Sequence, residues 1–321
     1  MTGAPRIQLL ARDNGAGLSR DMVLLAEALG EAGAAVRTNG LPHRGRVAEW
    51  LTRARLAGRA PAFDLNLMLE RVRPEFARAA RCNVLVPNPE YFRAQDRAAL
   101  GCIDMVWAKT RHAERLFAAL GKPVRHVGFT SPDRLDRSVP RQHAFFHGPG
   151  RSNNKGTAAL LKLWAGHPEW PVLTVAWRRK RVALDALPAN VRLIREHLDD
   201  EAYRRLQNAH RFHLCPSQTE GYGHYLVEAM SCGAVVLTLD AEPMRELVTA
   251  ERGVLVPAQA AGTQDLATLY GFRGPDMTQA IERCVAMPAI EADALGAAAR
   301  GWYEAERAAF PVRLRAALGA V

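Results

Sequence analysis

Short apolar runs alternate with amphipathic stretches over the first 130 residues. The runs have the length of β-strands and lie at 7–11, 34–37, 64–69, 83–86, 105–108 and 124–127. Ser19 is a favourable N-cap residue, and the apolar residues after it recur at helical spacing, which predicts a helix over 20–30. A second helix is predicted over 111–120. This alternation favours a parallel sheet with helices on both faces.

A similar alternation begins again after a polar, proline-containing stretch at 130–142, which is the best linker candidate. Strands are predicted at 144–147, 172–176, 191–194, 212–214, 234–238 and 253–256, and helices at 157–164, 201–209, 276–287 and 291–318. Pro311 is expected to break the last helix. We therefore predict an N-terminal domain over 1–138, a C-terminal domain over 139–300, and a helix over 301–321 that packs back toward the N-terminal domain.

Composition places the chain among ordinary globular proteins. It has 321 residues, of which 48% are hydrophobic and 24% charged, enough for two domains with real cores. No apolar run is long enough to span a membrane, and the run near the N-terminus is too short for a signal peptide. The five cysteines form no C-x-x-C pair, so a disulfide framework or a zinc site is not expected. We expect a cytoplasmic protein, with peripheral contact to a membrane as one possibility.

The net charge of +10 leaves three interpretations open. The basic residues cluster at 44–59 and at 178–181, and only five of the 43 are lysine. Solvated helix faces are the simplest interpretation, and an anionic membrane or a phosphorylated acceptor is the next. Nucleic acid is not an expected partner, because the clusters lack interleaved aromatic residues and any known nucleic-acid module.

Two glutamates bracket a glycine turn in the most informative segment. Glu220 precedes Gly221-Tyr222-Gly223, and Glu228 lies in the apolar helix that follows. A strand is predicted on each side, so a helix N-terminus would point backbone N–H groups and a partial positive charge at an anion. Two protein carboxylates that face the same ligand suggest that they accept hydrogen bonds from hydroxyl groups of that ligand. A ligand that has both a phosphate and many hydroxyl groups suggests a nucleotide-sugar.

This segment resembles the motif of retaining GT-B glycosyltransferases, especially family four, the glycosyl transferases group 1. The resemblance rests on Glu220, Glu228, the Gly-Tyr-Gly turn and the Glu-Ala-Met-x-x-Gly continuation. It extends upstream to 148–156 and downstream to 240–247. It implies an α/β fold with two Rossmann-like domains that face each other across a cleft, with the donor bound mainly to the C-terminal domain. It also implies transfer of a sugar from a nucleoside diphosphate to a glycan, a lipid-linked or a small-molecule acceptor.

The resemblance and the residue chemistry together give the candidate site. Arg151 offers a planar fork and Lys155 a point charge to a departing diphosphate, so we predict that these two and Glu220 carry the catalysis. The donor-binding residues are predicted to be Gly150, Arg151, Lys155, Glu220, Gly221, Tyr222, Gly223, His224, Tyr225 and Glu228. The acceptor-side residues are predicted to be Asn14, Gly15, Gly17, Asn88 and Glu90, which follow strands of the first sheet.

Neither a cofactor nor a metal is expected beyond the nucleotide-sugar itself. The chain has no D-x-D motif, which disfavours a metal-dependent enzyme of the GT-A type. Three alternatives keep the same fold: a nucleotide-sugar epimerase, a polymerase like glycogen synthase, for which the chain is short, and a protein that binds nucleotide-sugars without catalysis.

Overall fold

The computed structural model describes residues 3–12, 17–41, 45–150, 152–178 and 187–320. Two compact units divide the chain. The N-terminal unit contains Met1–Thr130, Gln264–Ala267 and Glu306–Val321, and the C-terminal unit contains Ser131–Thr263 and Thr268–Ala305. No helix among the described residues is long and apolar enough to cross a membrane.

The N-terminal unit is built from strands that alternate with helices. In chain order these are β1 (Arg6–Arg12), α1 (Gly17–Glu31), β2 (Ala35–Leu41), α2 (Arg46–Leu56), β3 (Phe63–Leu69), β4 (Ala80–Val86), α3 (Ala94–Ala98), β5 (Met105–Ala108), α4 (Arg111–Ala118) and β6 (Val124–His126). Short 3-10 helices lie at Pro74–Ala79, Pro89–Tyr91 and Leu100–Cys102.

The strands of this unit form one sheet in the order β2-β1-β3-β4-β5-β6, and their pairings are parallel. The strand order reverses direction between β1 and β3. In open parallel sheets, ligands bind beyond the carboxyl ends of the strands at such a reversal. The loops that follow β1 and β3 therefore mark the expected site of this unit.

The C-terminal unit contains β7 (Gln142–Gly150), α5 (Thr157–Ala165), β8 (Leu173–Trp177), β9 (Val191–Ile194), α6 (Asp200–Ala209), β10 (His210–Cys215), α7 (His224–Ser231), β11 (Val235–Asp240), α8 (Met244–Leu247), β12 (Gly253–Gln264), β13 (Ala267–Phe272) and α9 (Gly274–Ala286). The last helix, α10 (Ala289–Leu318), contributes residues to both units.

The sheet of the C-terminal unit has the order β13-β12-β11-β10-β7-β8-β9. Without β13, this is the Rossmann order, and the pairings from β12 to β9 are parallel. The reversal lies between β7 and β10, which are direct neighbours. Lys155 follows β7 and Glu220 follows β10, so two of the three predicted catalytic residues emerge at the reversal.

Several boundaries differ from those predicted. Helix α1 begins at Gly17, so Ser19 lies inside the helix and is not its N-cap. Helix α10 runs through Pro311 without a break. A proline removes one helical hydrogen bond, and here Phe310, Leu314 and Ala317 are fully buried on one side of this segment, which holds the helix together. Helix α2 and strand β13 had no counterpart in the sequence prediction, and β12 is longer than predicted.

Candidate functional site

Two loops meet at the strand reversal of the C-terminal unit, one after β7 and one after β10. The backbone amide of Gln218 donates to the carbonyl of Asn154 at 2.8 Å, which links the loops directly. Gly156 caps α5 with a left-handed φ of 66°, and a Cβ there would lie 2.8 Å from the carbonyl oxygen of Pro216. Only glycine fits this close approach. Asn154 and Gly156 thus hold the end of this loop against the segment that leads to Glu220.

Lys155, Ser217, Glu220 and Tyr225 form one side-chain cluster here, called the Lys155 cluster below. Lys155 Nζ forms an ion pair with Glu220 Oε1 and lies 4.0 Å from the centre of the Tyr225 ring. Both charged side chains are largely buried, at 15% and 10% exposure. A cation that contacts a carboxylate and an aromatic face at once is firmly positioned.

The hydroxyl groups of the cluster form a directed chain of hydrogen bonds. Ser217 Oγ donates to Glu220 Oε1, and the Tyr225 hydroxyl lies 2.5 Å from Ser217 Oγ. Burial raises the pKa of Tyr225 well above its usual value, so the phenol keeps its proton and donates to Ser217. The proton donors therefore all point toward the Glu220 carboxylate, which is paired with Lys155.

Helix α7 begins at the same place, after Gly221-Tyr222-Gly223. Gly223 adopts φ 111° and ψ 48°, and its carbonyl accepts hydrogen bonds from Leu226 and Val227 in the first turn. A Cβ on Gly223 would lie 3.0 Å from Leu247 Cδ1, so the position also lacks space for a side chain. The positive end of the α7 dipole thus lies next to the Lys155 cluster.

The side chains of Tyr222 and His224 pack within the unit. The two rings are T-shaped with centroids 5.4 Å apart, and His224 Nδ1 lies 2.7 Å from Ser131 Oγ. Tyr303 in turn donates to the carbonyl of Ser131 at 2.9 Å. The start of α7 is therefore braced by the segment that enters the C-terminal unit.

Glu228 is buried in α7 and accepts a hydrogen bond of 2.9 Å from Gln207 Nε2. Gln207 Oε1 accepts 2.9 Å from Arg134 Nε, and Arg134 also holds Asp200 at 2.8 Å. Arg134 lies in the stretch predicted as a linker. That stretch packs against α6 and α7, and the backbone amide of Arg134 donates to Ser231 Oγ at 3.0 Å. A buried chain of polar side chains thus fixes the Glu228 carboxylate.

His147 was missed in the sequence analysis, although a histidine inside an otherwise apolar strand was a usable signal. Its Nδ1 lies 2.7 Å from the carbonyl oxygen of Leu214, so Nδ1 carries the proton, and Nε2 accepts from Thr157 Oγ1 at 2.9 Å. Burial lowers the pKa of His147 to about 4. The neutral ring therefore ties β7, β10 and the first residue of α5 together, beneath the loop that carries Lys155.

A second polar cluster lies in the N-terminal unit, at the carboxyl ends of β3, β4 and β5. Glu70, Asn88 and Lys109 each follow one of these strands, and Lys109 forms a buried ion pair with Asp21 of α1. Lys109 Nζ also donates to Asn88 Oδ1 at 3.0 Å, and Asn88 Nδ2 lies 3.5 Å from Glu70 Oε2. We call these four residues the Lys109 cluster.

Glu70 has two unusual properties at this place. It has a left-handed φ of 63°, which a non-glycine residue adopts at a cost of about 1 kcal/mol or more. Burial raises the pKa of its carboxyl, and this outweighs the opposing effects of Arg71 and Lys109. The strained backbone and the disfavoured charge are typical of a functional carboxylate. The sequence offered no periodicity or motif that singled out Glu70 or Asp21.

The predicted acceptor-side residues do not all belong to one cluster in the structure. Asn88 belongs to the Lys109 cluster, and Gly17 is the first residue of α1. Glu90 is buried in the 3-10 helix Pro89–Tyr91, and its carbonyl accepts a hydrogen bond of 2.9 Å from Gln264. Asn14, Gly15 and the predicted donor ligand Arg151 lie outside the described residues. Gly150 ends β7 with φ 60°, and its carbonyl accepts from the amide of Arg178 at 3.2 Å.

Within the part of the chain that the structure describes, no group of three or more His, Cys, Asp or Glu side chains is arranged to hold a metal ion. All five cysteines are free thiols, and burial raises the pKa of the Cys82 thiol to about 11.

Residues 176–267 match the model of the family described as glycosyl transferases group 1. No curated protein matches the sequence significantly. Three solved structures illustrate the fold: a sucrose-phosphate synthase from Thermosynechococcus elongatus (16% identity, TM-score 0.74), Anabaena HepE in complex with UDP-glucose (14%, 0.73), and an α,α-trehalose-phosphate synthase (UDP-forming) from Burkholderia vietnamiensis (13%, 0.67). Each similarity covers 99% of this chain and 100% of the other chain.

These findings confirm the resemblance predicted from the sequence. The fold is α/β of the GT-B type, with two Rossmann-like units built on parallel sheets. Residues 176–267, most of which belong to the C-terminal unit, carry the region of the glycosyl transferases group 1 family.

Proposed function

We propose that this protein is a retaining, metal-independent glycosyltransferase that moves a sugar from a nucleoside diphosphate to a hydroxyl of a glycan, a lipid-linked or a small-molecule acceptor. One observation carries the proposal. Lys155 and Glu220 meet at the strand reversal of the C-terminal unit, beside the N-terminus of α7. A cation, a helix dipole and a carboxylate at one point suit a ligand that has both phosphates and sugar hydroxyls.

A uridine diphosphate sugar is the first donor to test. HepE was solved with UDP-glucose, and the trehalose-phosphate synthase is described as UDP-forming. Both share this fold over almost the whole chain. The base and the sugar of the present donor remain part of the proposal, because the fold alone sets neither.

The Lys155–Glu220 ion pair suggests how the site prepares for the donor. When a diphosphate arrives, its negative charge competes with Glu220 for the ammonium group of Lys155. The Glu220 carboxylate, still held by Ser217, can then accept hydrogen bonds from hydroxyls of the transferred sugar. Donor binding thus gives Lys155 the diphosphate in place of Glu220, and it gives Glu220 the sugar hydroxyls in place of Lys155. Neither buried charge is left without a partner.

The transfer itself balances without a protein base. The acceptor oxygen forms a bond to the anomeric carbon while the bond from that carbon to the phosphate oxygen breaks. The departing phosphate takes the proton of the acceptor hydroxyl, and attack on the face that it leaves retains the anomeric configuration. Lys155, the α7 N-terminus and Arg151 stabilise the charge that develops on the diphosphate.

The Lys109 cluster is the candidate acceptor-side site of the N-terminal unit. It lies at the carboxyl ends of β3, β4 and β5, with Glu70 at the β1/β3 reversal of that sheet, and it presents a carboxyl group, an amide and an ammonium group together. Such groups suit an acceptor rich in hydroxyls. Peripheral contact with an anionic membrane, first suggested by the net charge of +10, belongs to the same proposal and would bring lipid-linked acceptors within reach.

Release of nucleoside diphosphate, measured with a panel of UDP-, GDP-, ADP- and dTDP-sugars and varied acceptors, tests the proposal. Proton NMR of the product reports the anomeric configuration, and EDTA tests the need for a metal. Lys155→Met and Glu220→Gln are expected to lower turnover about 100-fold or more, whereas Lys162→Met, an exposed lysine on α5, is the matched control. Wild-type turnover in the first two variants would overturn the site assignment.

Two other outcomes would replace the proposed activity. Interconversion of donor sugars without any acceptor would identify an epimerase. Donor binding without turnover across the acceptor panel would identify a protein that binds nucleotide-sugars without catalysis. An inverted product would contradict the retaining mechanism, and complete loss of activity in EDTA that a divalent metal restores would contradict metal independence.

A further inference from the structure

Helix α2 turns its apolar side chains toward the solvent. Val47, Trp50, Leu51 and Ala54 recur at positions i, i+3, i+4 and i+7, so they share one helix face. Val47 is 72% exposed, Trp50 66% and Leu51 41%. We call these four residues the outer stripe. Trp50 is the only strongly exposed tryptophan among the described residues.

The opposite face of α2 makes the contacts with the unit. Glu49, Thr52 and Leu56 are half-buried, and α2 packs against the 3-10 helix Pro74–Ala79. A surface helix normally buries its apolar stripe and exposes its polar face. In α2 the arrangement is reversed, so the outer stripe is left without a partner among the described residues.

Arginines border the outer stripe on both sides. On a helical wheel Arg53 lies on one side and Arg55 on the other, and both are exposed in the last turn. Beyond the helix, an open cavity of about 520 Å³ is lined by Arg59, Arg78 and Arg81 together with one carboxylate, Asp104. The outer stripe is therefore bordered by two arginines, and a basic cavity lies near the C-terminal end of the same helix.

We propose that the outer stripe of α2 docks on an anionic phospholipid surface, with α2 lying in the plane of the membrane interface. An apolar stripe with a tryptophan inserts at the level of the headgroups, and arginines on both sides contact anionic headgroups. Against a second copy of the chain, the same arginines would repel one another across a two-fold axis. This inference deepens the membrane contact in the proposed function. It is tested without donor or acceptor, so its failure would leave the transferase activity untouched.

Sedimentation with vesicles tests the docking. The full chain is mixed with vesicles of phosphatidylcholine alone, or of equal parts phosphatidylcholine and phosphatidylglycerol. We expect binding to the anionic vesicles only, and about tenfold weaker binding in the double variant Val47→Glu/Trp50→Glu. The matched control, Ile290→Glu/Val312→Glu, changes two side chains that are 82% and 64% exposed elsewhere. It should bind like the wild type.

A separate double variant tests how much the two arginines contribute to vesicle binding. Arg53→Gln/Arg55→Gln keeps the outer stripe and should bind anionic vesicles roughly 25-fold more weakly, at about fivefold for each arginine. Exposed Arg93 and Arg97 provide the control Arg93→Gln/Arg97→Gln, which should change binding little. Circular dichroism of each variant shows that the fold is kept.

Fluorescence of Trp50 reports whether the stripe itself enters the interface. Addition of anionic vesicles should shift the emission to shorter wavelength. The Trp50→Phe variant should still bind and should lose the shift. Equal binding to both vesicle types, no binding to either, or equal binding of the stripe variant and its control would overturn the proposal. A wild-type dimer that Val47→Glu/Trp50→Glu dissociates, without vesicle binding, would assign the stripe to a second copy.

Discussion

Gln207 donates a hydrogen bond of 2.9 Å to the buried carboxylate of Glu228, and its own side-chain oxygen accepts one from Arg134. Glu228 is one of the residues predicted to bind the donor. If Glu228 binds the donor as predicted, Gln207 acts on that ligand through Glu228, as a positioning residue. The segment that carries Arg134 looks like a linker in the sequence, yet it supplies one end of this chain of hydrogen bonds.

Replacement of Gln207 by leucine should weaken donor binding while leaving the chemical step nearly intact. Hydrogen bonds to charged groups contribute about 1.5–3 kcal/mol, so we expect KM for the donor to rise roughly 10- to 100-fold. Steady-state kinetics separate KM from kcat. The control is Gln95→Leu, an exposed glutamine of α3. An unchanged KM would show that Gln207 does not set the position of Glu228.

The buried Lys109–Asp21 ion pair should matter more for stability than any exposed pair. Asp21→Asn leaves the ammonium group without its charged partner and should lower the free energy of unfolding by about 3–5 kcal/mol. Glu114→Gln breaks the Arg111–Glu114 pair, which is largely exposed and is expected to contribute about 1 kcal/mol or less.

Urea denaturation measures both variants. The double variant Asp21→Asn/Lys109→Met should recover part of the loss, because it removes the unpaired charge as well. Equal effects of Asp21→Asn and Glu114→Gln would contradict the argument.

Stability should fall as the pH drops below about 6.5. Burial lowers the pKa of His147 to about 4 and that of His213 to about 3. Between about pH 4 and 6.5 the unfolded chain therefore binds protons at these two sites that the folded chain does not bind. Each histidine should contribute a slope of about 1.4 kcal/mol per pH unit.

Denaturant titrations between pH 7.5 and 5 measure this slope. His147→Gln should reduce this slope by the contribution of one histidine, about 1.4 kcal/mol per pH unit. The variant is expected to be less stable than the wild type at every pH in this range. A stability that does not change over this range, or a slope that is equal in the wild type and in His147→Gln, would contradict the buried neutral state of His147.

Glu70→Gln should raise stability and lower acceptor-dependent turnover. Burial raises the pKa of Glu70 in the folded state, so its ionisation opposes folding once the pH exceeds the unfolded value near 4.5. The stabilising effect of glutamine should therefore be present at pH 7 and vanish near pH 4.

Turnover with acceptor should fall, while donor binding measured by calorimetry stays unchanged, because Glu70 lies in the N-terminal unit. Loss of stability at pH 7 would mean that Glu70 is held ionised by its neighbours. Unchanged turnover would remove the Lys109 cluster from the acceptor side.

The sequence was most informative where charged residues lie in loops that directly follow predicted strands. Lys155 and Glu220 lie in glycine-rich loops after apolar strands, and both the strands and the loops can be predicted from local pattern. Their contact depends on β7 and β10 being neighbours, which follows from the Rossmann order. Glu70 and Asp21 could not be found in this way, because their importance comes from burial and from a partner 88 residues away for Asp21.

Other differences have physical reasons as well. Helix α2 was missed although Val47, Trp50, Leu51 and Ala54 recur at helical spacing, a pattern that the sequence shows whichever way this face points. Pro311 does not end α10, because burial of Phe310 and Leu314 outweighs one lost hydrogen bond. Tertiary contacts that the sequence does not display decide whether the helix continues through Pro311.

Calorimetric titration of the protein with UDP, GDP, ADP and dTDP tests the central claim most directly, namely that the Lys155 cluster binds the diphosphate of a nucleotide-sugar. We predict that at least one nucleotide binds, that Lys155→Met weakens this binding at least tenfold, and that Lys162→Met binds like the wild type. Binding that is equally strong in Lys155→Met and Lys162→Met, or no binding of any of the four nucleotides to the wild type, would contradict the account.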